Sequence, residues 1–275
     1  MEKRSVLITG CSSGIGLDAA RALSARGWRV FATCRREEDC ERLRGEGLES
    51  FRLDYEDEAS IGAAMDEALG RTGGTLDALF NNGAYAIPGF VEDLPTAALR
   101  QLFEANVFGW HEATRRALAV MRPRRQGRIV QCSSVLGFAA VPWRGAYVAS
   151  KHAIEGYTDT LRLELRGTGV HAVLIEPGPI ATRFNENALA QFRRWIDPET
   201  SLRGDELRRI AERYRAESRP NPFTLPASAV TAALIAALES PRPRARYMVT
   251  TATKGVAVLK RLAPRALLDS LLARQ

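Results

Sequence analysis

The chain has 275 residues, 45% hydrophobic and 26% charged, and no apolar run reaches the roughly 18 residues of a membrane-spanning helix, so we expect a globular protein. Its net charge of +7 suits anionic small molecules such as phosphates. Because the arginines are dispersed and no nucleic-acid-binding motif is present, nucleic acid is not an expected partner.

Histidine and cysteine usage indicates neither metal nor disulfide chemistry. His111, His152 and His171 lie far apart without ligand spacing, so no metal site is expected. The four cysteines form no C-x-x-C pair, which fits a reducing compartment. The first residues enter an apolar strand without a signal-peptide pattern, and we therefore expect a cytoplasmic protein.

Short apolar runs alternate with segments of helical period along the chain. The predicted strands cover residues 5–9, 29–34, 49–54, 76–81, 127–133, 169–177 and, less clearly, 245–250. The predicted helices cover residues 14–26, 57–70, 96–121 and 147–166. This alternation predicts βαβ units and an α/β fold, a doubly wound parallel sheet of about seven strands in three α/β/α layers, as one domain over residues 1–275.

The segment ITGCSSGIG joins the first strand to the first helix. Its glycines permit a tight turn, and the free N–H groups at a helix start favour a pyrophosphate. The residues predicted to contact it are Gly10, Ser12, Ser13, Gly14, Ile15 and Gly16. The same letters contain G-x-S-x-G, so a serine hydrolase using Ser12 stays as the least favoured alternative; no acid–histidine pair follows in convincing context.

The second strand ends in Cys34, Arg35 and Arg36, where a carboxylate would hold a ribose 2′-hydroxyl. A guanidinium instead grips a 2′-phosphate with paired donors, so Arg35 and Arg36 favour NADP over NAD. The alternative is a solvated arginine at a helix start. Asp54, after the third strand, is a candidate N-cap for the next helix, and this role is compatible with the cofactor contact that the resemblance described below implies.

Tyr147 and Lys151 are four residues apart and share one face of a predicted helix. A nearby ammonium favours the phenolate, so Lys151 is expected to lower the pKa of Tyr147. Ser134, at the end of the fifth strand, can donate to a carbonyl oxygen that Tyr147 protonates. Asn106 is a polar residue out of pattern in a long amphipathic helix, which indicates either a site role or a buried hydrogen bond.

Several motifs in order resemble the short-chain dehydrogenase/reductase family. They are Thr9 with G-x-x-x-G-x-G, N-N-G-A at 81–84, Ser134 thirteen positions before Y-x-x-x-K, and P-G-x-x-x-T at 177–182. The resemblance covers roughly residues 5–184 and is greatest to the branch of 17β-hydroxysteroid and retinol dehydrogenases. One departure is that Gly83 and Ala84 are reversed relative to the family's N-N-A-G.

The resemblance implies a Rossmann-like, NADP(H)-dependent oxidoreductase that interconverts a carbonyl and an alcohol. Tyr147 would be the general acid or base, Ser134 would polarise the substrate oxygen, Lys151 would also bind ribose, and Asn106 would hold a water joined to the lysine. The family's further cofactor contacts match Asp54 near adenine and Asn82, Pro177, Gly178, Ile180 and Thr182 towards the nicotinamide. It also implies a homodimer or homotetramer.

Two C-terminal segments fall outside the resemblance. Residues 183–226 are polar and rich in arginine and aromatic residues, and we expect one or two helices that overhang the carboxyl edge of the sheet. The aromatic residues of this segment, with Phe184 as a substrate contact, predict an apolar substrate: a steroid-like or retinoid-like compound, or a long-chain aldehyde or ketone. The alternative is that these side chains only pack the insertion helices on the sheet. The tail 256–275 is basic and amphipathic. Packing against the domain or a second subunit is the favoured location for it, and a membrane surface is the alternative.

A non-enzymatic alternative for the whole chain is a protein that binds the cofactor as a sensor or scaffold.

Overall fold

A computed structural model describes residues 3–216 and 224–273, and its centre is a sheet of seven strands. The strands are β1 Ser5–Ile8, β2 Arg29–Cys34, β3 Glu49–Arg52, β4 Ala78–Asn81, β5 Gly127–Cys132, β6 Val170–Glu176 and β7 Arg246–Met248. All neighbouring strands are parallel, in the order β3-β2-β1-β4-β5-β6-β7. The order reverses between β1 and β4, which is where a doubly wound sheet binds its ligand. The predicted fold class is confirmed.

Eleven α-helices among the described residues cover the sheet and its carboxyl edge. They are α1 Gly14–Ala25, α2 Glu37–Gly45, α3 Glu58–Arg71, α4 Thr96–Phe103, α5 Gly109–Met121, α6 Gly145–Glu164, α7 Phe184–Trp195, α8 Gly204–Ala216, α9 Ala227–Glu239, α10 Thr251–Leu262 and α11 Arg265–Leu272. All four residues of β1 and all four of β4 are buried, because helices pack on both faces of the sheet.

Two predicted helical features differ in the structure. The segment 96–121 is not one helix, because a π-helical turn, Glu104–Phe108, separates α4 from α5. Helix α3 begins at Glu58, and the side chain of Asp57 caps it by accepting from the N–H of Ser60 at 3.1 Å. Asp54 is therefore not the N-cap, and the N-cap interpretation of that residue is wrong.

The insertion forms two helices, α7 and α8, over the carboxyl edge of the sheet; residues 217–223 of this predicted segment lie outside the described part of the chain. Its apolar face packs on side chains from α4 and α6. Together these side chains form an apolar cluster separate from the core around the sheet. Its buried members include Phe90, Leu102, Leu136, Tyr147, Leu189, Phe192, Leu207, Ile210 and Tyr214. The insertion thus covers the sheet edge where the predicted site residues converge.

The predicted tail forms α10 and α11, with residues 274–275 outside the described part. Thr253 is the one buried residue of α10, and α11 has none. Beyond the first turn of α10 the described tail shows only partial burial, for example at Val256 and Ala257, so most of the tail does not pack along the domain. Its packing on a second subunit stays a prediction. Across residues 3–216 and 224–273, every helix is too short or too polar to span a bilayer.

Candidate active site

The turn between β1 and α1 depends on glycine at three positions. Gly10 and Gly14 have φ angles of +69° and +57°, in the left-handed region that favours glycine. A Cβ on Gly10 would lie 2.7 Å from the Cα of Gly83, and one on Gly16 would lie 2.4 Å from the carbonyl oxygen of Gly10. The backbone is therefore packed too closely here for any side chain.

The first turn of α1 presents backbone N–H groups to the same space. Ser13 is the N-cap residue, and its side chain makes no capping hydrogen bond. The first N–H groups of a helix have no partner within it, and the helix dipole favours an anion beside them. Ser12, Ser13, Gly14 and Ile15 are all only partly buried, so a phosphate can approach their backbone.

Two further segments converge on this turn. Asn82, just after β4, donates from Nδ2 to the carbonyl oxygen of Thr9 at 3.0 Å, and its N–H donates to the hydroxyl of Thr9 at 2.9 Å. A Cβ on Gly14 would lie 3.0 Å from Cγ2 of Thr182. The segments expected to contact the phosphates and the nicotinamide therefore lie side by side.

Gly83 stands where the family motif has alanine, and the backbone here still forms close contacts with neighbouring segments. The carbonyl oxygen of Gly83 accepts from Nε1 of Trp110 at 2.8 Å. A Cβ on Gly83 would lie 3.2 Å from Cε2 of Tyr55 and 3.4 Å from the nitrogen of Gly10. Glycine at this position therefore fits a space that an alanine side chain would crowd.

Arg35 and Arg36 differ in what their guanidinium groups do. Arg36 donates from Nε to the carboxylate of Asp39 at 3.2 Å in the first turn of α2. Arg35 is exposed, and its guanidinium forms no ion pair within the described part of the chain. Asp54 is partly buried, and its carboxylate accepts from the N–H of Glu56 at 3.2 Å. Both arginines are exposed, and Arg35 is the one without an ionic partner among the described residues.

The segment after β6 is fixed against its neighbours. The carbonyl oxygen of Pro177 accepts from the N–H of Val135 at 2.8 Å. A Cβ on Gly178 would lie 2.2 Å from the hydroxyl oxygen of Thr250, so only glycine fits. Ile180 forms an isolated parallel bridge with Leu225, near the end of the insertion. The predicted nicotinamide contacts Pro177, Gly178, Ile180 and Thr182 thus stand on one braced loop.

Tyr147 lies in the first turn of α6, and only 8% of its surface is exposed. Burial raises the pKa of the Tyr147 phenol above its ordinary value, and a hydrogen bond with the side chain of Ser134 opposes part of that rise. The ring of Phe184 packs against that of Tyr147 with 5.2 Å between the centroids. Ser134, Tyr147 and Phe184, the three predicted substrate contacts, are therefore brought together.

Lys151 lies one helical turn after Tyr147 and is 1% exposed. Its Nζ donates to the carbonyl oxygen of Cys132 at 2.8 Å and lies 4.2 Å from the centre of the Trp110 ring. The same atom lies 5.5 Å from the centre of the Tyr147 ring. Burial lowers the pKa of Lys151 to about 8, so the ammonium form still prevails at neutral pH.

The pKa of Tyr147 is shifted in the direction opposite to the one predicted from the sequence. Lys151 is expected to lower the pKa of Tyr147, yet the pKa of the buried phenol is raised. The reason is that both groups are withdrawn from water, and Nζ is directed at the Cys132 carbonyl and the Trp110 ring. A raised pKa keeps the phenol protonated, which favours donating a proton over removing one.

The π-helical turn directs Asn106 into the interior. Its Oδ1 accepts from the N–H of Tyr85 at 3.1 Å, and its Nδ2 donates to the carbonyl oxygen of Tyr85 at 2.9 Å. The same Nδ2 donates to the hydroxyl of Ser150 at 3.2 Å, and that hydroxyl donates to the carbonyl oxygen of Tyr147 at 2.8 Å. Asn106 thus joins α6 through Ser150, and a water between Asn106 and Lys151 stays a prediction.

Sequence reasoning missed two residues of this site. Trp110 is fully buried, lies beside Nζ of Lys151 and hydrogen-bonds the end of β4. Ser150 links Asn106 to α6. Spacing could have found both, because Trp110 lies one helical turn after Asn106 and Ser150 directly precedes Lys151.

The site residues fit a dinucleotide. The space around the turn is kept open by glycines at positions where a Cβ would collide with backbone. The N-terminus of α1 and the guanidinium of Arg35, which has no ionic partner among residues 3–216 and 224–273, are accessible to solvent. A cavity of about 420 Å³ lies elsewhere, at the amino ends of β1 and β2 near Trp28 and Glu49, and is not part of the site. Within the described ranges, no cluster of three or more His, Cys, Asp or Glu side chains has the geometry of a metal site.

Sequence comparison finds related proteins over most of the chain. A family model described as short chain dehydrogenase matches residues 4–192. An uncharacterized oxidoreductase of Escherichia coli strain K12, YbbO, is 41% identical over 270 residues, which are 98% of this chain and 94% of that protein. Human retinol dehydrogenase 8 is 36% identical over 207 residues, which are 72% of this chain and 67% of that protein.

A solved structure has the same fold. It is a short chain dehydrogenase/reductase from Burkholderia phymatum in complex with NAD, with a TM-score of 0.81 and 24% identity. The match covers 99% of this chain and 96% of that one. At this identity the likeness shows the fold alone.

Proposed function

This chain belongs to the short-chain dehydrogenase family, and from that premise we propose that it is an NADP(H)-dependent oxidoreductase acting on an apolar carbonyl or alcohol. The main support is the meeting of Tyr147, Ser134 and Lys151 at the carboxyl edge of the sheet, beside a turn that can receive a pyrophosphate. A proton donor, a hydrogen-bond donor and a cation at one place suit a carbonyl oxygen that gains negative charge.

The bound nicotinamide cofactor supplies or accepts the hydride. We propose that the N–H groups at the start of α1 hold its pyrophosphate and that Arg35 holds a 2′-phosphate, because that guanidinium is exposed and unpaired within the described residues. The remaining proposed contacts are Arg36, Asp54, Asn82, Tyr147, Lys151, Pro177, Gly178, Ile180 and Thr182.

In the reductive direction Tyr147 donates its phenolic proton to the substrate oxygen while the Ser134 hydroxyl donates a hydrogen bond to the same atom. The raised pKa of Tyr147 keeps that proton in place until the oxygen becomes basic. In the oxidative direction Tyr147 has to become a phenolate, and the ammonium of Lys151 on the same helix face stabilises that anion.

Asn106 acts as a positioning residue in this proposal. Its hydrogen bonds join the segment after β4 to the first turns of α6, which carry Tyr147 and Lys151. We further propose that it holds a water connected to Lys151, as the family resemblance implies. The proton given up by Tyr147 could then be replaced from solvent.

An apolar substrate is supported by the side chains around Tyr147. Phe184 lies edge-on to the phenol, and the apolar cluster beneath α7 and α8 continues from that point. A relative named retinol dehydrogenase fits the same preference. We therefore propose a steroid-like, retinoid-like or long-chain aldehyde or ketone substrate. Assembly as a homodimer or homotetramer and a cytoplasmic location stay predictions.

The test is the substitution Tyr147→Phe, with NADPH consumption measured over a panel of apolar aldehydes and ketones. We expect turnover to fall by about 10²- to 10⁴-fold, because the proton donor is lost, while NADPH binding is nearly unchanged. The matched control is Tyr157→Phe on the same helix, whose hydroxyl bonds to His111 at 3.1 Å. Undiminished activity of Tyr147→Phe would refute the acid role.

The alternatives predict other results. A cofactor-binding sensor would bind NADPH and show no turnover with any substrate of the panel. A serine hydrolase would cleave p-nitrophenyl esters and lose that activity in Ser12→Ala. Against the hydrolase, His111 bonds to Tyr157, His152 bonds to the carbonyl oxygen of Val148, and His171 lies on β6, so no base accompanies Ser12.

A further inference from the structure

The two C-terminal helices α10 and α11, Thr251–Leu262 and Arg265–Leu272, are joined by two residues and are called the hairpin below; both expose apolar side chains. The exposed fractions are 56% for Val258, 42% for Leu259, 76% for Leu262, 52% for Leu267 and 41% for Leu271. These five are more than half of the nine large hydrophobic residues exposed in the described part of the chain. Isolated exposed leucines are ordinary, whereas a cluster on two adjacent helices marks a contact surface.

Helix α10 has the residue order of a helix that lies on a bilayer. At 100° per residue, Val258, Leu262 and Leu259 form one apolar arc. Lys254 and Arg261 flank this arc on one side, and Lys260 lies further round the helix beyond Leu259. The long basic side chains at the flanking side can extend to a phosphate layer while their alkyl stems stay beside the apolar arc.

The attachment of the hairpin turns that arc towards solvent. Thr253 is buried on another face of α10, and its N–H donates to the hydroxyl of Thr250 at 3.1 Å. These two threonines pack against Gly178, so the hairpin is fixed to the protein at its root. In α11, Leu267 and Leu271 are one turn apart and share a face. Both helices therefore offer leucines to a partner outside the described fold.

Charge decides which partner fits. Residues 251–273 contain four basic side chains, those of Lys254, Lys260, Arg261 and Arg265, and one acidic side chain, that of Asp269. A symmetric pairing with a second copy would bring the two sets of cations together, in a chain whose net charge is already +7. An anionic lipid surface is complementary to the same pattern.

We propose that the hairpin formed by α10 and α11 is a peripheral membrane anchor that inserts Val258, Leu259, Leu262, Leu267 and Leu271 into the interface of an anionic phospholipid bilayer. The basic side chains of Lys254, Lys260 and Arg261 contact lipid phosphates, and the rest of the protein stays in water. The anchor does not rest on the proposed oxidoreductase activity, because no residue of the hairpin belongs to the catalytic site.

The experiment is flotation of the purified full-length protein with vesicles of phosphatidylcholine alone and of an equimolar mixture with phosphatidylglycerol. We expect binding to the anionic vesicles, weakened by high salt. Leu262→Asp should lower the partition coefficient at least about tenfold, since it removes an inserted side chain and adds a negative charge. The matched control is Leu202→Asp, at a fully exposed leucine outside the hairpin, which should bind as the unmodified protein does.

A second variant tests the charge component separately. The double substitution Lys260→Gln, Arg261→Gln should lower binding to anionic vesicles by about tenfold or more and leave binding to neutral vesicles unchanged. Its control is Arg166→Gln, an exposed arginine outside the hairpin. The proposal is overturned if the hairpin variants bind vesicles as their controls do, or if Leu262→Asp converts an oligomer to a monomer without changing vesicle binding. Turnover of a water-soluble ketone is measured in parallel, so failure of the anchor and failure of the oxidoreductase proposal are distinguished.

Discussion

Lys151 occupies a space that suits an ammonium and not a guanidinium. It is one of four lysines among 39 basic residues. The side chain is almost fully buried, with Nζ between the carbonyl oxygen of Cys132 and the face of the Trp110 ring. A compact charge with rotatable donors can satisfy both contacts, whereas a wide planar head cannot. The composition bias towards arginine therefore makes this lysine informative.

Arg35 carries the cofactor preference in our proposal, and its substitution gives the first prediction. Arg35→Ala should weaken NADPH binding by about 10- to 100-fold, because charge-assisted hydrogen bonds to the 2′-phosphate are lost, and should change NADH binding little. Both dissociation constants can be measured by fluorescence titration. Arg166→Ala is the control, because Arg166 is exposed and is not among the proposed cofactor contacts. Equal losses for the two cofactors would mean that Arg35 does not contact the 2′-phosphate.

Elements that depend on local pattern were predicted well from the sequence. The strands and the helices α1, α3 and α6 differ from their predicted bounds by a few residues at most. Helix α2 was missed because its nine residues are mostly charged and only Cys40 and Leu43 are buried. The π-helical turn was missed because a change from i+4 to i+5 hydrogen bonding leaves no mark on composition.

Some features of the candidate site could be predicted from local sequence spacing, and others depend on tertiary packing. Glycine positions, Tyr147 and Lys151 are fixed by motifs within one turn or one helix, so their neighbourhood follows from spacing. The raised pKa of Tyr147 depends on how far the insertion buries the phenol, which sequence spacing does not contain. The same is true of the tail. Its amphipathic pattern predicts an interface, but the pattern does not determine whether the apolar face is directed towards the domain or towards solvent.

The start of α5 provides the element-scale prediction. Gly109 follows the π-helical turn, and a Cβ there would lie 2.5 Å from the carbonyl oxygen of Tyr55. Alanine normally stabilises a helix relative to glycine, but here it forces α5 away from the segment after β3. We expect Gly109→Ala to lower the free energy of unfolding by about 1–3 kcal/mol in urea denaturation.

The matched control for Gly109→Ala is Gly70→Ala in α3. A Cβ at Gly70 meets nothing within 4 Å, so this change should raise the free energy of unfolding by about 0.5 kcal/mol through helix propensity. We therefore expect the free energy of unfolding to fall in Gly109→Ala and to rise in Gly70→Ala. If both variants are stabilised, α5 does not press on Tyr55.

At the scale of the whole molecule, one arginine ties together three distant parts of the chain. Arg246 on β7 donates to Glu176 at the end of β6 at 2.8 Å, to Glu155 on α6 at 2.8 Å and to Asp159 on α6 at 2.9 Å. Glu155 lies one turn after Lys151, and Glu176 directly precedes the Pro177 loop. This network therefore braces two elements that carry site residues.

Glu176 is the member of this network whose protonation is most altered. Its side chain is fully buried, and burial together with the neighbouring Glu155 carboxyl raises the pKa of Glu176 to about 7, against the opposing effect of Arg246. Within the described structure, one oxygen of each glutamate is buried without a hydrogen-bond partner. Burial is the main reason that the folded state holds a proton on Glu176, and that proton also provides a hydrogen-bond donor between the two carboxyls.

The last prediction is a pH dependence of stability that Glu176→Gln removes. The pKa of a glutamate in the unfolded chain is about 4.3, so the folded state binds the proton more tightly. The stabilisation is complete below that pH and is lost as pH rises through the folded-state value of about 7. Between about pH 5 and pH 8 the free energy of unfolding of the unmodified protein, relative to that of Glu176→Gln, should fall by about 2–3 kcal/mol.

Urea denaturation of both proteins across this pH range measures the difference. Lys151 and the other titrating groups outside the Arg246 network contribute equally to the two proteins, so the comparison isolates the titration of Glu176 together with its coupling to Glu155. The control is Glu164→Gln, an exposed carboxyl on the same helix as Glu155, which should leave the pH profile of the unmodified protein unchanged. A difference between Glu176→Gln and the unmodified protein that is constant with pH, or that grows as pH rises, would show that Glu176 is ionised in the fold and that Arg246 outweighs burial.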